Sequence, residues 1–137
     1  MRQEMDKIRI KNPDFMGKVY EDFIRNAKVG KNVKPGGALV TFPDKDRNVC
    51  ELSATYIVKP GRFAKEQRII VVMTFQKDEN GEYISDLEES VFHVVQNNNG
   101  DLRETWKGKI KDAESLDNLK DIAEIHRNAV LALPEKA

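Results

Sequence analysis

The pattern of apolar and polar positions is densest in mid-chain, between Arg68 and Gln76, where six of the seven residues from Ile69 to Phe75 are apolar. Most are β-branched or aromatic, which suits a strand rather than a helix. Along a strand, Ile69, Val71, Met73 and Phe75 point one way and Ile70, Val72 and Thr74 the other. Both faces therefore require cover. At ~1.5–3 kcal/mol per buried aliphatic, the segment offers roughly 10–15 kcal/mol of gross burial, and it predicts the central strand of a sheet.

The flanking patterns extend that sheet. Val49 to Val58 alternates cleanly, with Cys50, Leu52, Ala54, Tyr56 and Val58 inward and Glu51, Ser53 and Thr55 toward water. Ala38 to Phe42 reads as a short strand stopped by Pro43, after a loop from Lys28 to Gly37. Lys7-Ile8-Arg9-Ile10-Lys11 alternates charge and isoleucine, an edge strand or extended arm within residues 1–11. Downstream, Asn80-Gly81 marks a hairpin turn, Val91 to Val95 is plainly β, and Asn97 to Asp101 marks a second turn. Leu102 to Ile110 alternates with Leu102, Glu104, Trp106, Gly108 and Ile110 on the inward face, where Glu104 is the exception.

Two helical patterns bracket the strands. Asn12-Pro13-Asp14 is a helix start, with Asn as N-cap and Pro at the first helical position. The stripe Phe15, Met16, Val19, Tyr20, Phe23, Ile24 and Ala27 follows; Gly17 within it points to close packing and Gly30 is a terminator. Asp112 or Ser115 caps a C-terminal helix carrying Leu116, Leu119, Ile122, Ala123, Val130 and Leu133, ended by Pro134. The fold predicted for residues 1–137 is one α+β domain. Its antiparallel sheet is a four-strand meander plus one or two short strands, with an N-terminal and a C-terminal helix packed on one face. Two helices shelter one face only. Ile70, Val72 and Trp106 are therefore expected to line an interface, most simply in a homodimer.

Composition narrows the class. With 39% hydrophobic and 34% charged residues, the 137-residue chain can fill a core and is not of the disordered type. The longest apolar run is five residues, too short to span a membrane, and Met1 to Lys11 lacks the apolar core of a signal peptide. One cysteine, Cys50, makes no internal disulfide and suits a reducing compartment, so a cytoplasmic location is expected.

Net charge is zero but unevenly spread: residues 1–77 carry 16 Lys/Arg against 9 Asp/Glu, and residues 78–137 carry 7 against 14. The basic half contains two glycine-bearing loops. Lys28, Lys31 and Lys34 accompany Gly30, Gly36 and Gly37 in the first; Lys59, Arg62, Lys65 and Arg68 surround Phe63 in the second. Val-Lys-Pro-Gly occurs in both, at Val33–Gly36 and Val58–Gly61. Glycine admits a phosphate to backbone N–H groups, the cations supply charge, and an aromatic ring stacks on a base. No nucleotide-binding loop signature is matched, and lysine, proline and glycine are also what solvated loops contain.

Other chemistry is sparse. His93 on a strand and His126 on the last helix read as packed residues, and Cys50 as a small inward hydrophobe; nothing orients an imidazole for a Cys50–His93 dyad. Asp78, Glu79, Glu82, Asp86, Glu88 and Glu89 lack the spacing of a calcium loop and read as the solvated face of a hairpin. No cofactor, metal site or catalytic set is expected. Three functions remain: a binding protein holding a polyanion, nucleic acid foremost, on the basic loops; an adaptor, chaperone or inhibitor offering an apolar sheet face to a protein partner; and an enzyme of unknown class.

Overall fold

The sheet is built around β4, Gln67–Lys77, in the computed structural model of the chain, which describes residues 7–27, 32–59 and 65–135. Ile69, Val71, Met73 and Phe75 of β4 are buried, while Ile70 and Val72 on the opposite side are half-buried and Thr74 is exposed. Strand β3, Val49–Val58, pairs antiparallel with β4 over its whole length, from Val49 opposite Gln76 to Val58 opposite Gln67. Its even-numbered residues enter the core, as the period of two predicts.

Strand β2, Val33–Thr41, forms the edge beyond β3 and starts five residues before the expected Ala38. The segment Pro35-Gly36-Gly37, read as loop, is part of that strand. An edge position tolerates the missing proline N–H, and the register shifts between Pro35 and Gly37. Gly37 has φ +107°, and a Cβ on Gly36 would stand 3.1–3.3 Å from Thr55, so both glycines serve the bulge.

On its other side β4 forks. Gln67 to Val72 pairs with β6, Val91–Asn98, whereas Gln76 and Lys77 pair with β5, Tyr83–Asp86. A short 3₁₀ turn, Leu87–Glu89, joins β5 to β6. Strand β1, Lys7–Ile10, closes the β5 edge and β7, Asp101–Lys109, the β6 edge, giving among the described residues an antiparallel sheet of seven strands. The simple meander thus becomes a branched one. The β6–β7 turn carries Asn99 at φ +54° and Gly100 at φ +89°, the paired left-handed residues a tight hairpin needs. The β4–β5 turn is held instead by Asp78, whose carboxylate accepts from the backbone N–H groups of Asn80 and Glu82, both at 2.9 Å.

In β7, Trp106 lies opposite Val94 but Glu104 lies opposite Val95, so Thr105 is the extra residue of a bulge. That slip reverses the expected faces. Glu104 and Leu102 are on the side away from the core, while Trp106 and Gly108 face it, and the inward carboxylate read from strict alternation does not exist.

Helix α1, Pro13–Asn26, buries Met16, Gly17, Tyr20 and Ile24. Proline stands at its first turn as expected, but the Asn12 side chain makes no capping bond. Gly17 allows the helix to lie on β2, since a Cβ there would stand 3.2 Å from Val40 Cγ2. The helix ends at Asn26, and Gly30, the expected terminator, lies outside the described residues. The single C-terminal helix predicted from the sequence is two, α2 at Ile110–Glu114 and α3 at Lys120–Ala132. Tight i→i−3 bonds from Leu116 to Ala113 and from Leu119 to Leu116 turn the chain between them. Helices α1, α2 and α3 sit on the face that carries Leu52, Tyr56, Met73 and Phe92, and together these side chains form one continuous core.

Candidate functional site

The basic residues named from the sequence that fall within the described chain gather at one end of the sheet. Lys34 on β2 is opposite Ile57 on β3, and Ile57 is opposite Arg68 on β4. Lys34 and Arg68 therefore share a cross-strand row and a face, two strand spacings or about 10 Å apart. Lys59 lies two residues beyond Ile57, with its backbone N–H bonded to the Asn32 carbonyl at 3.1 Å, and Lys65 stands just before β4. All four are exposed. Two acidic residues adjoin them: Glu66, 4.0 Å from Arg68, and Glu104, two strands beyond Arg68 in the same row. Val33 and Val58, which open the two Val-Lys-Pro-Gly tetrapeptides, are direct cross-strand partners. Lys28, Lys31, Arg62 and Phe63 lie outside the described residues. Gly36 and Gly37 belong to the strand bulge, so their conformation is accounted for without a bound phosphate.

The acidic hairpin stands at the other end of β4, ten residues or about 33 Å away. That is several Debye lengths at physiological salt, so it does not neutralise the basic end. Its carboxylates pair locally: Asp78 with Arg9 at 3.5 Å, Glu89 with Lys109 at 2.6 Å, and Glu88 with Arg127 at 2.6 Å. Charge that is segregated along the sequence is thus partly mixed in space.

The interface residues named from the sequence separate. Ile70 and Val72 lie on the uncovered face of the sheet, whereas Trp106 packs against the core on the helix side. Its indole covers Gly108, where a Cβ would stand 2.6 Å from the ring. His93, opposite Ile70, is on the uncovered face, with Nδ1 2.5 Å from Glu104 Oε1. The bulge at Thr105 makes that pair, which strict alternation hides.

Cys50 is on the opposite face from His93, so the two cannot form a dyad. Burial, partly offset by Arg47, pushes the Cys50 thiol up to about 12, leaving it un-ionised. Asp44, by contrast, accepts from the N–H groups of Val49 and Asn48, which outweigh its desolvation and lower its pKa.

A buried hydrogen-bonded chain runs through the core: Tyr56 Oη to Tyr20 Oη at 2.7 Å, Tyr20 Oη to His126 Nδ1 at 2.8 Å, and His126 Nε2 to Ser90 Oγ at 3.0 Å. It ties together β3, α1, α3 and the turn before β6. Burial, with the nearby charge of Arg127, lowers the His126 pKa to about 3, so the imidazole is neutral at physiological pH. Burial also holds Tyr56 up at about 12 and Tyr20 well above its ordinary value. Neither His126 nor Tyr20 reaches solvent, so the chain fixes the core and offers no surface to a substrate. The sequence held a faint sign of it, since a buried tyrosine hydroxyl needs a partner, but nothing there pairs Tyr20 with His126. Among the described residues no three metal-ligating side chains lie together, and no helix is long and apolar enough to cross a membrane. Comparison with protein-family models, curated proteins and solved structures finds no match to this chain.

Proposed function

We propose that this chain is a non-catalytic intracellular binding protein that holds a polyanion, nucleic acid foremost, at the basic end of its sheet. The observation that supports this most directly is the register that sets Lys34 beside Arg68 on one face, with Lys59 and Lys65 at the same end. Cations fixed two strands apart in one row are pre-spaced, so a phosphate backbone lying across β2, β3 and β4 meets them at little ordering cost.

Each neutralised phosphate releases counterions. Four contacts give a slope of log K against log salt of about −3 for a single strand. Fluorescence anisotropy with labelled DNA and RNA oligonucleotides between 50 and 200 mM salt, roughly the range over which such contacts weaken most visibly, reads that slope. The double variant K34E/R68E is expected to abolish binding at the lower salt while leaving the fold intact, since both side chains are exposed. No binding to any oligonucleotide at low salt, or binding unchanged in the variant, sinks the reading.

A further inference from the structure

We infer that the uncovered face of the sheet receives a second copy of this chain, two sheets packing face to face about a two-fold axis that runs along β4. Helices α1, α2 and α3 are all on the core side, yet the other face carries aliphatic side chains at its centre, among Ser53, Thr55 and His93. Val72 on β4 pairs with Val91 on β6, while Ile57 on β3 and Val95 on β6 flank Arg68 and lie diagonal to Ile70; all five are half-buried, and Leu39 at the β2 edge is 62% exposed. Contiguous aliphatic surface of this kind marks an interface.

The charges around the patch select both the occupant and the axis. One row across the face reads Lys34, Ile57, Arg68, Val95, Glu104, with a cation at one edge and a carboxylate at the other. A two-fold along β4 lays β2 over the second copy's β7 and β3 over its β6. Lys34 of each copy then meets Glu104 of the other, Ile57 meets Val95, and Ile70 and Val72 meet themselves. Arg68 and Glu66, 4.0 Å apart, both lie near the axis, so each faces its own counterpart beside the opposite charge, and Lys109 lies over the second copy's Leu39. A two-fold across the strands would instead set Lys107 against Lys109 and Ile57 against Glu51, opposing like charges and a carboxylate against an aliphatic. Self-complementarity of this sort is what an isologous dimer requires. Five strands by seven residues cover roughly 500–600 Å² per copy. Doubled, this reaches the roughly 1,000–1,200 Å² at which specific interfaces begin, so affinity on the order of micromolar is expected.

The second copy covers Lys34 and Arg68, so it and a polyanion compete for this face; sedimentation equilibrium of the full chain, with no polyanion present, reads self-association alone. A mass near twice 15.7 kDa is expected at concentrations above micromolar. Ile70→Asp is expected to give a monomer with an unchanged far-ultraviolet circular dichroism spectrum. Lys34→Glu and Glu104→Lys are each expected to weaken association roughly tenfold, and the double swap to restore it. If Ile70→Asp fails to fold, the swap pair decides alone, since both of its positions are exposed. A wild-type monomer at high concentration, a folded Ile70→Asp dimer, or a double swap no tighter than the singles each overturns the proposal. So does a wild-type monomer that uses this face for an unrelated protein.

Discussion

Acidification tests the buried Tyr–His–Ser chain, because the folded core holds His126 neutral while the unfolded chain does not. Its folded pKa of about 3 lies well below the ordinary 6.5. Between those values the unfolded state binds a proton that the native state refuses, so stability rises with pH there and falls as pH drops from 6.5 toward 3. With an unfolded value of 6.5, the loss relative to neutral pH is roughly 2 kcal/mol at pH 5 and roughly 3 kcal/mol at pH 4. Asp44, whose pKa is lowered on folding, adds to the loss only once the pH falls to the carboxylate range, so the upper part of the window belongs to the histidine. Urea unfolding at pH 7, 6 and 5 reads the effect as a midpoint shift of about 1 M by pH 5. In a His93→Gln variant, the remaining imidazole signal in an NMR titration should stay neutral down to about pH 4. Midpoints that hold steady between pH 6.5 and 5, or an imidazole that titrates above pH 5, would refute the argument.

Three substitutions probe neighbouring parts of the core. Tyr20→Phe removes the hydroxyl between Tyr56 and His126 and strands both, at a cost of about 2–3 kcal/mol, whereas Tyr56→Phe removes only the end of the chain, at about 1 kcal/mol; chemical denaturation giving the reverse order would show the network is wired differently. Gly108→Ala places a methyl within 2.6 Å of the Trp106 ring, so the indole must swing outward. Because the chain has one tryptophan, the emission maximum should move to longer wavelength with a loss of about 1–3 kcal/mol, and an unchanged spectrum would refute the packing.

What could be read in advance follows from how many chemical demands a segment meets at once. β4 and β3 were legible because their alternation is long and their side chains have no competing use. β2 was not, because Pro35-Gly36-Gly37 has the composition of a loop, and only an edge position with a bulge lets it pair. A one-residue slip at Thr105 reversed the sides of Leu102 and Glu104, since strict alternation has no means of signalling an extra residue. The break between α2 and α3 falls at Ser115 to Leu119, where the apolar spacing carries on although Asp117 and Asn118 favour a turn. The basic residues were visible as composition. That Lys34 and Arg68 share one row emerged only from the pairing of three strands.

Ribosomes deliver a chain from its first residue to its last, and the hydroxyl of Tyr20 waits 106 residues for its imidazole. Until His126 emerges from the exit tunnel, the hydrophobic side of the growing hairpins has α1 for shelter but not α3. Such a nascent polypeptide can form local turns early, yet it locks only when its far segment arrives, a topology that slows folding and lengthens the interval of exposure. Chaperone engagement and protease sensitivity during translation should therefore persist until the far segment has cleared the tunnel.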